Sequence, residues 1–545
     1  MNHPLSVVFR LLMTGYWLLV TGFQSPISNL QSPFGVIEST ENPDAAAELG
    51  VGWTRIIFHW GRVQGDGPDA WTPPINDAQL DAEIAAGREV TGLLIGIPDW
   101  ARGDDGLPRG LWLPANDPGN AWAVFVREVV GRYDGRITHW TIWNEPDIPA
   151  GELAHTWDGS VADFAQLLRV AYLTAKDVNP AVTIHLAAFT YWADVNAGTE
   201  QYMARLLDEL LADPQAAAHN TYFDVASAHL YFQPNQIYDL LTLFQDIMRR
   251  RGLSQPIWLA ETNAPPMDDP AWRVAQPHLL VTQQEQAAFV PQALVSAMAA
   301  GAERIAIYKL QDTPDDRAAN PEPFGLLRQD GSQRPAFGTY ETAVQYLAQA
   351  HHTERVRWDG IGQFRLDQSD RTTMVLFNRL FFEQEAAVAA AADSALLVDQ
   401  WGATQTITAT NGVYTVTLPA APCSQPIGDY CMIGGPTFYL VQAKDGSAPP
   451  VLPVPTVTAT PTPTATPQPT ATETPTAVPT TITPTPQPTK TAVPTMAQVT
   501  AVPASTLTPP ASTADSVKPV WGVIGMVTAV AILTLIWFLR RSHHL

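Results

Sequence analysis

From about residue 30 to residue 348 the chain alternates short apolar runs with longer amphipathic ones. The runs PFGVI (33–37), TRIIF (54–58), VTGLLIGI (90–97), HWTIWNE (139–145), VTIHLAAF (182–189), FDVASAHLY (223–231), PIWLAE (256–261) and RIAIYKL (304–310) have the length and composition of buried strands. Most are separated by stretches with apolar residues at helical spacing, clearest in VADFAQLLRVAYLTAKDVN (161–179) and TEQYMARLLDELLAD (199–213). Strands in this number, each followed by a crossover helix, predict a (β/α)8 barrel over 30–348 rather than an open sheet.

Beyond His351 the pattern changes. TTMVLFNR, SALLVDQWG, TQTITATNGVYTVTLP and PTFYLVQA read as short strands with Asn and Gly turns and no strong helix between them. They predict a small β-sandwich over 351–445, with TNGVY as a hairpin turn. From 448 to 516 the composition falls to Thr, Pro, Ala and Val. Proline at this density blocks both helices and sheet ladders, so the segment predicts an extended, disordered stalk. The run 519–539 is uncharged and long enough to span a bilayer, and Arg540 and Arg541 follow it at once. This predicts one transmembrane helix with residues 540–545 in the cytoplasm and the rest outside. Residues 1–25 contain an apolar run of signal-peptide length. The combined expectation is a single-pass protein of the cell membrane with an extracellular head.

Composition narrows the partners. A net charge of −22 without a clustered basic face argues against nucleic acid. The two cysteines, Cys423 and Cys431, are a candidate disulfide in an exported chain and too few to hold a metal. Neither a metal nor a cofactor is expected.

The candidate chemistry lies at strand ends. In a barrel of this kind the active site forms at the C-terminal ends of the strands. Glu145 ends the fourth strand, and Pro146 prevents the strand from continuing. Glu261 ends the seventh in the same way. Counting by twos, Thr141, Trp143 and Glu145 share one face, as do Ile257, Leu259 and Glu261. Trp258, of opposite parity, is then expected against the helices. Two glutamates facing one another across a barrel mouth suit glycoside hydrolysis: one donates a proton to the leaving oxygen, the other attacks the anomeric carbon. The sequence leaves retaining and inverting geometries both open. On the sixth strand Ser227, His229 and Tyr231 share a face that would point at the same site. Arg55, on the second strand, needs a buried partner, and Glu261 is the natural one. Trp60, Trp100, Trp143 and Trp192 are candidate sugar-stacking surfaces near strand ends.

WNEPD, LAET, SAHLY and TRIIFHW together resemble the clan A glycoside hydrolases, most closely family 39 with families 5 and 51 as neighbours, over residues 33–443. The resemblance implies a retaining enzyme acting on oligo- or polysaccharides. Glu145 would be the acid/base, Glu261 the nucleophile and Asn144 the partner of the sugar 2-hydroxyl, with Arg55, His229 and Tyr231 orienting the glutamates. Where such enzymes often carry a stacking tryptophan on the eighth strand, this chain has Tyr308 and Lys309 in IYKLQD. A non-catalytic carbohydrate-binding or adhesive protein and a transglycosylase are the alternative readings.

Overall fold

The computed structural model describes residues 32–447, apart from 153, 276, 278, 320 and 321, together with residue 452. The signal-like segment, nearly all of the stalk, the 519–539 run and the tail therefore lie outside the described residues. Among the described residues no helix is long and apolar enough to cross a membrane.

Eight parallel strands close into a barrel in chain order: β1 (Phe34–Val36), β2 (Trp53–His59), β3 (Glu89–Ile95), β4 (His139–Ile142), β5 (Thr183–Phe189), β6 (Val225–His229), β7 (Ile257–Thr262) and β8 (Ile305–Ile307). Closure is made by β8 pairing with β1. The outer faces bury apolar side chains against the helices. On β2 these are Ile56 and Phe58, on β4 Trp140 and Ile142, and on β6 Ala226 and Ala228. The helices start where the sequence supplies caps. Ser160 and Asp163 form a reciprocal capping box at Val161–Val178, and Thr282 with Glu285 does the same at Gln283–Ala299. Each cap is worth about 1 kcal/mol.

At the foot of the barrel the lumen is filled by Trp53 and Trp258, with ring centroids 5.1 Å apart. Gly35 makes this possible: a Cβ there would lie 2.4 Å from the Trp53 ring.

The segment after the barrel is more lopsided than a simple sandwich. A six-stranded antiparallel sheet is ordered β14 (Thr404–Thr408), β13 (Ser394–Asp399), β18 (Phe438–Ala443), β11 (Arg371–Asn378), β10 (Ile361–Asp367) and β9 (His352–Trp358). One face, with Val375, Phe377, Tyr439 and Val441, joins the apolar core that includes the barrel helices. The other, with Met374, Leu376 and Leu440, is covered by a two-stranded ribbon, β12 (Gln384–Ala389) and β15 (Val413–Leu418). Strand alternation sends neighbouring residues to the two cores. β9, β10 and β12 have no counterpart in the sequence reading. β9 (HTERVRW) is a charged edge strand, and β12 (QEAAVA) is alanine-rich. The TNGVY turn forms, with Asn411 and Gly412 both at positive φ and Thr410 paired to Val413. It does not join paired strands, however: β14 pairs with β13 and β15 with β12, so the turn passes the chain from one sheet to the other.

Cys423 and Cys431 are joined, with Cα atoms 4.9 Å apart. Beside the bridge the Ser424 N–H donates to Glu285 (2.8 Å), and Gln292 bonds both Gly434 and Gly435. These contacts fasten the β-sheet segment to the helix Gln283–Ala299.

Candidate active site

The inward face of β2 runs Trp53, Arg55, Ile57, His59 from the foot of the lumen to the mouth. Trp53 belongs to the luminal cluster, and the other three line a cleft of about 880 Å³. On β6, Val225, Ser227 and His229 share the luminal face in the same way. On these two strands the period of two holds throughout.

On β4 and β7 it breaks at the two residues that matter most. β4 stops at Ile142, and Trp143 takes φ 73°. Its ring is thrown outward against Trp122 of the helix Ala121–Arg132 and against Trp157. Trp143 therefore does not share a face with Glu145, nor does it offer a ring to a ligand. The reversal brings Asn144 and Glu145 into the cleft together. Glu145 itself stands at φ 45°, with its N–H bonded to the Ala188 carbonyl of β5 (3.2 Å). Left-handed backbone at a bulky residue is strained and persists only when its surroundings enforce it.

On β7 the parity argument is overturned by a bulge. Ala228 of β6 is opposite Leu259, whereas His229 is opposite Glu261, so the register slips between them. Trp258 points into the lumen, because its ring meets Trp53 of β2, His139 of β4 and His185 of β5. Ile257 and Leu259 join the outer core. The slip returns Glu261 to the lumen.

The structure brings Arg55, Asn144, Glu145, His229, Tyr231, Glu261 and Tyr308 to this one cleft. Arg55 and Tyr231 each bond one oxygen of Glu261. His229 Nδ1 lies 2.6 Å from Glu145, and its Nε2 lies 3.4 Å from Arg55 and 3.6 Å from Glu261. Nδ1–H donates to Glu145, and Nε2 faces both Arg55 and Glu261. Both glutamates line the cleft, with side-chain exposure of 8% for Glu261 and 13% for Glu145. Asn144 makes no side-chain hydrogen bond among the described residues and is available to a ligand.

Burial by itself would raise the Glu261 pKa. His229, Arg55 and the hydrogen bond from Tyr231 outweigh it and hold the carboxyl below its usual range, hence ionised. Tyr231 is pushed far above the ordinary phenol range, first by burial and then by Glu261, so it remains a donor. Tyr308 is raised for the same two reasons.

The tryptophans divide. Trp60 is fully buried, stacked on Phe125 at 4.9 Å, and cannot meet a ligand. Trp100 packs edge-on to Trp60 and donates to the Gln64 carbonyl, away from the cleft lining. Trp192 does line the cleft. Glu38 and His59 are among the cleft residues that the sequence did not single out. Glu38 immediately follows the strand PFGVI, so the strand-end rule applied to β1 would have found it. His59 lies one turn of alternation beyond Ile57 on β2.

One carboxylate oxygen each of Glu145 and Glu261 and a ring nitrogen of His229 lie within 4.8 Å of one another. That set could hold a cation. But both Glu261 oxygens already accept protein hydrogen bonds, one of them from a buried guanidinium, which disfavours a second positive charge. The arrangement is one nearly buried ionised carboxylate beside a second carboxyl that faces the cleft.

No protein-family model matches the chain, and no curated protein does. Among solved structures, a family 39 glycoside hydrolase from Bacteroides cellulosilyticus WH2 shares 17% identity over 77% of this chain and 82% of its own, with a TM-score of 0.56. A glucosidase from Croceicoccus marinus shares 14% identity over 76% of this chain and 97% of its own, with a TM-score of 0.50. At these identities the likeness is one of fold. The expected resemblance to a family 39, clan A barrel holds at that level.

Proposed function

We propose that the chain is a retaining glycoside hydrolase. The observation that carries this reading is the carboxyl pair. One oxygen of Glu145 and one of Glu261 lie within 4.8 Å of one another across the mouth, and the two carboxyls differ in their pairing. Retaining glycosidases need their carboxyl groups about 5–5.5 Å apart, whereas inverting ones leave room for a water at roughly 6.5–9.5 Å. Glu261, ionised, attacks the anomeric carbon while Glu145 protonates the departing oxygen. Forming the glycosyl ester cancels the charge on Glu261 and so weakens its bonds to Arg55 and Tyr231. Glu145, now ionised, takes a proton from the water that attacks the ester and restores the starting state. His229, donating to Glu145, fixes its orientation in both steps. Asn144 beside Glu145 is placed to bond a sugar hydroxyl, and Trp192 and Tyr308 supply rings against which a sugar can rest.

The export-like start, the Thr/Pro stretch and the uncharged 519–539 run support a further proposal: the head works outside the cell, tethered by one span. A chain ending at residue 447 is then soluble and fully active.

The test of the activity is a panel of aryl glycosides, with the anomer of the first-formed product read by NMR. Retained configuration is expected. Inverted configuration overturns the mechanism, and binding of oligosaccharide without turnover of any substrate favours an adhesive role.

A further inference from the structure

The segment that delivers Glu145 runs on through Pro146 to Asp147, which takes no part in the chemistry above. Asp147 is only 7% exposed, yet no cation pairs with it among the described residues. Its Oδ2 accepts three hydrogen bonds: from Thr190 N–H (2.7 Å), Thr190 Oγ1 (2.8 Å) and Tyr191 N–H (3.3 Å). Its Oδ1 is buried without a hydrogen bond among the described residues, as is the Tyr202 hydroxyl. The turn it grips is strained, with Tyr191 at φ 75°. That turn launches the helix Trp192–Ala197, and both Thr190 and Trp192 line the cleft.

We propose that Asp147 is a positioning residue of this site. It holds the Thr190–Tyr191 turn so that Trp192 walls the cleft. The KM readout below rests on the glycosidase reading; the position of Trp192 does not.

The charged and titratable groups facing Asp147 are few. Glu145 lies on its own segment. The Tyr202 phenol faces it from the helix Tyr202–Leu211, flanked by the Arg205–Asp194 pair (2.6 Å) and, further off, Asp163. Burial first, and then Glu145, push Asp147 up to about 7 against the opposing bonds from Thr190.

The test compares D147A and D147N in the full chain. In D147A the turn loses its acceptor. Trp192 should leave the cleft wall in a crystal structure, and KM for a disaccharide should rise roughly two- to tenfold, with a smaller change in kcat. In D147N the amide oxygen still accepts from Thr190, so Trp192 and KM should stay close to wild type. Trp192 unmoved in D147A, or D147N changed in Trp192 position or KM as far as D147A, would overturn the proposal. If the wild-type chain turns over no glycoside, the glycosidase reading has failed, and the position of Trp192 in D147A still decides this proposal.

Discussion

The two ends of one lumen hold similar residues to different effect. At the foot, Glu89 bonds His139 (2.8 Å) and Arg304 (2.8 Å), His139 bonds His185 (2.8 Å), and Trp258 lies against both rings with Arg304 over its face. At the mouth, Glu261 bonds Arg55 and Tyr231, and Glu145 bonds His229. Both clusters draw on glutamate, histidine, arginine and an aromatic ring. At the foot Glu89 is paired with both Arg304 and His139, and Trp53 and Trp258 plug the lumen. At the mouth Arg55 pairs with Glu261, while Glu145 bonds His229 and no arginine, and the site opens on a cleft. A carboxylate held by a guanidinium has little freedom to exchange a proton. At the mouth the surplus carboxyl, the one not committed to a cation, is the one that can carry and release a proton.

The hardest break of this comparison is at the mouth. Glu261→Ala removes the proposed nucleophile, and turnover should fall by several orders of magnitude. Azide can enter the vacated space and attack directly, giving a glycosyl azide of inverted configuration. Glu145→Ala should cost roughly 10²–10⁴-fold on substrates with poor leaving groups. On activated aryl glycosides the first step survives, and azide, which needs no base, should release a product of retained configuration. Chirality of the azide product checks both assignments in one assay: swapped products reverse the roles, and unimpaired turnover in either variant removes that residue from the chemistry.

At the foot the same kinds of change should act on stability and leave kcat alone. Burial would raise Glu89, but the bond and charge of His139, with Arg304, bring it down to about 2 from an ordinary 4.5. A depressed carboxyl contributes stability above its unfolded pKa and loses it as pH falls through the folded one. The loss therefore runs from about pH 4.5 to about pH 2. Allowing for partial exposure, it is on the order of 2–3 kcal/mol. His185 is held well below its usual value, first by burial and then by His139 and Arg304. The unfolded chain gains a proton there that the folded one refuses, so stability should begin to fall below about pH 6.5. Denaturant midpoints measured from pH 7 to pH 3 should decline in wild type and decline less below pH 4.5 in Glu89→Gln, which should also be less stable at pH 7. An equal acid slope in the two proteins would detach Glu89 from the effect.

The barrel was legible because its strands are long apolar runs and its helices carry caps and a clear apolar stripe. The glutamate pair was legible because each glutamate stops such a run. The faces that alternation assigns around the pair do not hold, and for a physical reason. A period of two describes regular strand, and Trp143 at positive φ and the β7 bulge are departures from regular strand made by tertiary contacts. Trp258 was misassigned by the same bulge. Trp60 was misread because an aromatic beside a strand end is equally suited to a core, and here Phe125 claims it. β12 was missed because alanine carries no strand signal until Tyr414 and Val416 cover it.

The finest distinction between mouth and foot is between two tryptophans. Trp192 lines the cleft and Trp258 fills the sealed lumen at 2% exposure. A sugar resting on Trp192 gains its ring face only when bound, and aromatic contacts of this kind are worth about 0.5–1.5 kcal/mol. Trp192→Ala should therefore raise KM for an oligosaccharide roughly two- to tenfold, with kcat for a small aryl glycoside little changed. Trp258→Phe keeps a ring against Trp53 but drops the indole N–H that donates to Glu303 (2.9 Å) and part of the surface under Arg304. It should lower the melting temperature and leave both kinetic constants where they were. If the two variants exchange signatures, with KM following Trp258 and stability following Trp192, then the division of the lumen into a reactive mouth and a structural foot is drawn in the wrong place.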